Sequence, residues 1–239
     1  MRHVSLVLTP LLVCTAGFAQ SDLPHFGIGV DMSTLGAGIQ ASTAVTRKSN
    51  VRVGFNYFTY SRDFTKDGIN YNGDLQLRSF EILYDQYLFG GFHVSPGLLA
   101  YNGNKGIATA AVPSGQQFSL GGTSYTSAPT NPVIGNGAVN LGTASPMVLI
   151  GVGNLLPRSK RHFTVNFEVG AVFQRPPKAT LNLSGSVCNP VIASPCTPVA
   201  VSAVPGLQSD VQNEQNKINK SLDFFRYYPV ISFGFGYKF

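Results

Sequence analysis

The chain has 239 residues and a formal net charge of +6, yet only 12% of its residues are charged. The basic residues are scattered and form no dense run, which argues against nucleic acid as a partner. Beyond residue 19 no run of about 18 apolar residues occurs, so a transmembrane helix is excluded; apolar residues come instead in short alternating pieces divided by Gly, Asn, Ser and Pro, the weak repeating pattern of a β-barrel.

The amino terminus reads as an export signal. Arg2 and His3 make a short basic start, residues 4–13 form a largely apolar stretch with one proline, and Gly17 and Ala19 are the small residues expected just before a cut ahead of Gln20. The apolar part is too short to span a bilayer. The expectation is a cleaved signal over residues 1–19 and a single domain over 20–239. Leu11-Leu12-Val13-Cys14 has the outline of a lipoprotein signal, but Val13 is too large for the position before the cysteine.

The first strand pattern has Phe26, Ile28, Val30 and Met32 alternating with Gly27, Gly29, Asp31 and Ser33. The apolar phase then passes from even to odd positions at Leu35, Ala37, Ile39 and Ala41. A tight reversal near Thr34 leaves that trace, giving two strands; one long bulged strand is the other reading. After a polar turn at 46–50, Val51, Val53, Phe55 and Tyr57 share one face of a third strand, opposite Arg52, Gly54, Asn56 and Phe58. A polar loop is expected at 61–72. The fourth strand, 74–89, carries Leu75 and Leu77 in one phase and Phe80, Ile82 and Tyr84 in the other, which a bulge near Arg78 or Ser79 reconciles. Gly90-Gly91 is a hairpin signal, and Phe92, Val94, Leu98 and Ala100 mark the fifth strand.

Residues 106–157 contain no Asp, Glu, Lys or Arg. A long uncharged loop is expected over 104–145, with a hairpin near Phe118 and Tyr125, followed by a sixth strand at 146–154. A turn at 155–162 holds Arg158, Lys160 and Arg161. The seventh strand is the cleanest: Phe163, Val165, Phe167, Val169, Ala171 and Phe173 oppose Thr164, Asn166, Glu168, Gly170 and Gln174. A second long connection, 175–223, holds Cys188 and Cys196, the only cysteines past the signal. In an oxidising compartment they are expected to form a disulfide; a metal site is the weaker reading, since no other cysteine or histidine is near in sequence. Leu207, Val211, Ile218 and Leu222 then form a helical stripe, read as a short amphipathic helix packed on the rim. The eighth strand, 225–239, has Ile231, Phe233, Phe235, Tyr237 and Phe239 on one face, opposite Ser232, Gly234, Gly236 and Lys238.

The expected fold is therefore all-β: an eight-stranded antiparallel up-and-down transmembrane barrel with one short helix in the last outer loop, or ten strands if the 104–145 region splits. In the eight-strand count the short connections fall at the end carrying both termini and the long ones at the other, the asymmetry of membrane barrels. A soluble eight-stranded barrel turns its apolar face inward. Here the apolar face is too bulky for so narrow a lumen, whereas glycines and a few charges fit it. Lipid outside and a polar core inside is the better assignment. It places Asp31, Arg52, Glu81, Asp85, His93, Glu168, Arg226 and Lys238 in or near the lumen, where both signs must neutralise each other. A salt-bridged structural core is the favoured reading over a conduction path or catalytic cluster.

Catalysis has little support. No GxSxG, HExxH, CxxC or P-loop pattern occurs. His93 with Ser95 on the same strand face is the sole Ser/His pairing of interest; His25 and His162 sit at strand ends. No catalytic residue, cofactor or metal is expected.

The segments Thr34-Leu35-Gly36-Ala37-Gly38, Val51-Arg52-Val53-Gly54-Phe55-Asn56-Tyr57, Leu75-Gln76-Leu77-Arg78-Ser79 and Tyr228-Pro229-Val230-Ile231-Ser232-Phe233-Gly234, with the closing Tyr237-Lys238-Phe239, are framework motifs. In them the chain resembles small bacterial outer-membrane β-barrel proteins of the OmpA/OmpX eight-stranded type, uncharacterised members included. The resemblance covers most strands but little of the outer loops. It implies an integral protein of the bacterial outer membrane with both termini in the periplasm. Phe235, Tyr237 and Phe239 resemble the carboxy-terminal signal read by the barrel-assembly machinery. The partners expected are outer-membrane lipids, that machinery and an unknown extracellular ligand. The expected role is non-enzymatic, in envelope structure or surface interaction through long outer loops. A small porin-like channel and a lipid-modifying enzyme are the alternatives.

Overall fold

The computed structural model describes residues 26–142, 144–188 and 195–239. The signal expected at 1–19 and His25 lie outside the described residues.

Strands β1 (Gly27–Ser33) and β2 (Gly36–Thr46) form a tight hairpin with Ser33 opposite Gly36, so the phase switch between Met32 and Leu35 is the trace of a reversal. Gly36 has φ +124°, and a Cβ there would meet the Tyr57 backbone at 3.0 Å; only glycine fits this corner. Strands β3 (Ser49–Lys66) and β4 (Ile69–Phe89) are much longer than a barrel wall requires. They pair from Ser49 opposite Gln86 to Lys66 opposite Ile69, joined through Asp67 and Gly68, both at positive φ, the geometry favoured by two-residue hairpin turns. The polar loop expected at 61–72 is therefore strand. Its polar residues bond across the ladder, as Asn72 Nδ2 does in donating to Asp63 Oδ1 at 2.7 Å.

The bulge expected near Arg78 or Ser79 is not in the β3–β4 ladder, which runs through both residues without a slip. The slip lies across from it in β5 (Phe92–Asn102), where Phe80 faces Tyr101 and Glu81 faces Leu99. On β4 the odd residues keep one side throughout: Leu77, Ser79, Glu81, Leu83, Asp85 and Tyr87 are all buried. The change of hydrophobic phase marks where β4 leaves the barrel and its inner side turns from a polar lumen to an apolar one.

Past β5 the chain forms β6 (Lys105–Ala111), the hairpin β7 (Gln117–Leu120) and β8 (Thr123–Thr126), then β9 (Ile134–Asn140) and β10 (Ser145–Val152). The hairpin expected near Phe118 and Tyr125 is present, but the rest of the uncharged region is not the simple loop expected. Next come β11 (Phe163–Phe173), β12 (Lys178–Ser184), the short pair β13 (Ser186–Cys188) and β14 (Pro198–Ala200), helix α1 (Pro205–Leu222) and β15 (Tyr227–Lys238). Cys188 and Cys196 are joined by a disulfide next to the β13–β14 pair.

Eight strands close a ring: β1, β2, β3, β4, β5, β10, β11 and β15, each antiparallel to its neighbours, with Gly27 opposite Lys238 closing the seam. The extra strands of the ten-strand alternative do not enter that ring. Above Gln76, β4 exchanges β5 for β6, and β6, β9 and β12 extend the β3–β4 ribbon into a blade that stands over the mouth opposite the termini. The inner side of the blade packs on α1 and the β7–β8 hairpin through Ile69, Val112, Tyr125, Val133, Leu207 and Val211. The expected helix is thus present, but it seats on the blade. Gln215 Oε1 accepts from the Leu181 N–H at 3.0 Å and Asn219 Oδ1 from the Ala179 N–H at 2.7 Å, so α1 closes the free edge of β12.

Candidate functional site in the barrel interior

Inward positions of the ring strands bring three layers together. The middle layer is ionic. Arg52 on β3 reaches across the lumen to Glu168 on β11. Its Nη1 donates to Glu168 Oε2 at 2.8 Å and to Gln40 Oε1 at 3.1 Å, while Nη2 donates to Glu168 Oε1 and to Asp85 Oδ1 at 3.0 Å. His93 Nε2 lies 2.8 Å from Glu168 Oε1, and its Nδ1 lies 3.1 Å from the Gly91 carbonyl oxygen. Ser95 Oγ donates to Asp85 Oδ1 at 2.7 Å. Asp31 and Glu81 are buried beside this cluster. Small residues on neighbouring strands make the room: a Cβ on Gly54 would lie 2.7 Å from Glu81 Oε1, and one on Gly151 would lie 2.9 Å from His93 Nε2.

Six of the expected lumen residues, Asp31, Arg52, Glu81, Asp85, His93 and Glu168, are thus gathered in one buried region. Two are not. Arg226 is exposed, because β15 begins at Tyr227 rather than near 225 and residues 223–226 form a 3-10 turn at the mouth. Lys238 lies at the opposite end, where its Nζ donates to the carbonyl oxygens of Pro157, at 3.2 Å, and Ser159. His93 and Ser95 share a strand face but bind different carboxylates, Glu168 and Asp85, so they do not form a nucleophile–base pair.

Asp85, His93 and Glu168 bring ligand-type atoms within 4.8 Å of one another. The residues do not fit a metal ion as they stand. The Arg52 guanidinium already lies between the two carboxylates and supplies the positive charge that a metal would bring.

The layer toward the blade is apolar. Leu35, Leu83, Leu99, Met147, Leu149, Val172 and Val230 are each at most 2% exposed and fill the lumen below the mouth. The layer toward the termini comes from the β10–β11 connection, whose Leu155 and Leu156 turn into the barrel and are buried at 4% and 0% exposure. Arg158 fastens that connection. It donates to the carbonyl oxygens of Thr46 (2.6 Å), Arg47 (3.2 Å), Ser49 (3.1 Å) and Leu156 (2.8 Å), and to Asn50 Oδ1 (2.8 Å). Sequence reasoning placed Arg158 in a turn and found neither plug. The pair Leu155-Leu156 inside an otherwise polar turn was the available signal.

Outward positions carry the apolar belt. Val30, Ile39, Phe55, Val165, Phe167, Ile231, Phe233 and Phe235 are exposed, and rings gather at both rims. Phe26 meets Phe239, Phe89 meets Phe92 and Phe163 meets Tyr237 at the terminal end, with ring centres 5.9, 5.0 and 5.3 Å apart; Phe173 meets Tyr227 at 5.9 Å near the other. An antiparallel closed sheet with an apolar belt between aromatic girdles and a polar filled core defines a transmembrane β-barrel of the small outer-membrane type.

Solved structures that share the fold include those of Acinetobacter baumannii CarO and CarO2. CarO matches with a TM-score of 0.56 at 19% identity, covering 89% of this chain and 97% of its own. CarO2 matches with a TM-score of 0.57 at 18% identity, covering 92% and 100%. Neither a protein-family model nor a curated protein matches the sequence.

Proposed function

We propose that this protein is an integral outer-membrane barrel with both termini in the periplasm, that the barrel is a sealed, non-enzymatic anchor, and that its working part is the blade-and-helix head outside the cell. The filled interior carries this reading. An ionic layer lies between two apolar ones, and the lower plug is tied to the wall through Arg158. Water and ions crossing the barrel would have to part all three. The sequence pattern of an export signal at 1–19, the outward rings of β15 and the placement of short turns at the terminal end support this reading of location and sidedness.

A channel would require both Leu155-Leu156 and the apolar layer at the mouth to move. A lipid-modifying enzyme would require His93 to meet a nucleophile and a substrate, and its ring is buried against Glu168. Purified, refolded protein in planar bilayers is expected to give no reproducible conductance steps. Regular steps would overturn the sealed reading. Deletion of the gene is expected to leave lipid A and phospholipid composition unchanged, and an altered composition would bring the enzyme back.

A further inference from the structure

The head carries a half-open apolar chamber of about 470 Å³ between the inner side of the blade and the elements beside it, with Ala108 on its floor exposed. Its walls are Tyr71, Phe118, Leu120, Leu181, Leu183 and Ile218, and no charged side chain lines it. The volume lies within the ~300–1,000 Å³ range of small-molecule sites.

The floor explains why the space is open. Adjacent strands β6 and β9 place Ala108 opposite Gly137 and Ala110 opposite Gly135, so the middle of the blade has nothing larger than a methyl group facing α1 and the hairpin. Packing does not demand glycine at every one of these positions. A Cβ on Gly106 would meet nothing within 4 Å, and one on Gly137 would meet only ordinary contacts at 3.8–4.0 Å. Neither residue has positive φ. Side chains that the backbone would accept are missing where they would fill the chamber. Apolar walls left open to solvent forgo dispersion contacts, and the water against them has few polar partners and is readily displaced. An uncharged apolar guest restores those contacts, whereas an ionised one would be stripped of water with no partner.

We propose that this chamber binds an uncharged, compact, largely apolar small molecule, held between the blade, with its Gly/Ala floor and the leucines of β12, and the ring and aliphatic side chains of the β7–β8 hairpin and α1. The proposal deepens the surface-facing reading and rests on it for the side from which the ligand arrives. Conductance in bilayers would sink the sealed barrel and leave the chamber standing; the experiment below tests the chamber alone.

The chain contains no tryptophan, so Phe118→Trp creates a sole indole in the chamber wall, and Phe167→Trp creates one on the lipid face. Refolded protein is titrated with nitrobenzene, an uncharged aromatic quencher. Quenching is expected to saturate for Phe118→Trp and to rise linearly, by partitioning alone, for Phe167→Trp. Adding Gly106→Leu to Phe118→Trp is expected to remove the saturable component while the heat-modifiable folded band remains; Ala108→Leu is the alternative filler should the first not fold. Linear quenching of Phe118→Trp, or saturation unchanged in a folded filled variant, would overturn the proposal.

Discussion

Arg52 and Glu168, 116 residues apart in sequence, meet inside the barrel through paired guanidinium–carboxylate hydrogen bonds, and Arg52 donates to Asp85 as well. A planar fork with several donors serves acceptors on three other strands, which a lysine ammonium cannot do in the same geometry. Removing the cation leaves buried carboxylates without compensation. Arg52→Met is therefore expected to cost about 3–5 kcal/mol, and Arg52→Lys to recover part of it. Urea titration of the heat-modifiable band measures both; a Met variant as stable as the parent would show that the cluster contributes nothing to the fold.

The lower plug makes a separate prediction. Leu156 is fully buried, so Leu156→Ala is expected to cost about 2–5 kcal/mol through lost contacts and the cavity left behind. Arg158→Ala acts differently, by releasing the oxygens of Thr46, Ser49 and Asn50 and freeing the turn. Hydrogen exchange is expected to rise at residues 153–162 while the upper half of the barrel keeps its protection. Uniform loss of protection around the ring would contradict a local strap.

How much of this was legible in the sequence follows from contrast between faces. Strands β3, β11 and β15 were clear because bulky outward residues alternate with small or polar inward ones. The middle strands were harder to read because Leu83, Leu99, Met147 and Leu149 face inward in the upper apolar layer, which erases the alternation. The blade was invisible for a related reason. On β9 the inward Gly135 and Gly137 alternate with Asn136 and Ala138, so no hydrophobic period survives. Strand parity placed eight titratable groups in or near the lumen and six are there; it misplaced Arg226, because parity holds only while the chain remains a strand, and Lys238, which sits at the terminal end of β15 and donates to the carbonyl oxygens of Pro157 and Ser159. Arg158 gave no signal since nearly all its partners are main-chain carbonyls. The cysteine pair, by contrast, was readable from spacing and compartment.

Tyr125 links the β7–β8 hairpin to the helix by donating to Asp210 Oδ2 at 2.8 Å. Burial, and the carboxylate that accepts its hydrogen bond, hold its phenol above the ordinary tyrosine value. With the folded value above the unfolded one of about 10, the contact stabilises the head fully below about pH 10. That contribution is lost as pH rises through the folded value. In the Phe118→Trp background the indole emission is expected to shift red over that alkaline range, and Tyr125→Phe to flatten the pH-dependent part. An identical shift with and without the phenol would remove Tyr125 as its cause.

The last ring of the chain tests the reading of β15. Phe239 is 65% exposed and packs against Phe26, so its deletion removes little buried surface. If its value lies in recognition by insertion machinery, deletion is expected to lower the folded fraction in the outer membrane severalfold while leaving refolding of the purified protein into detergent nearly unchanged. Equal losses in cells and in detergent would assign Phe239 a structural role instead.

The edge of β12 offers a prediction about solubility of the head. Four helix residues advance about 6 Å and two strand residues about 6.6–6.8 Å, so Gln215 and Asn219 can reach the N–H groups of Leu181 and Ala179 in step. Those donors are otherwise the open edge of a blade, free to pair with another chain. The variant Gln215→Leu with Asn219→Leu keeps the helix, since leucine is a good helix former, but leaves two strand donors unmet, at about 1–3 kcal/mol each if they stay buried. Faster exchange at the Ala179 and Leu181 amides and concentration-dependent association through the head are the expected results. Unchanged exchange at those two amides would mean that α1 is held by its apolar stripe alone and that the edge needs no cover.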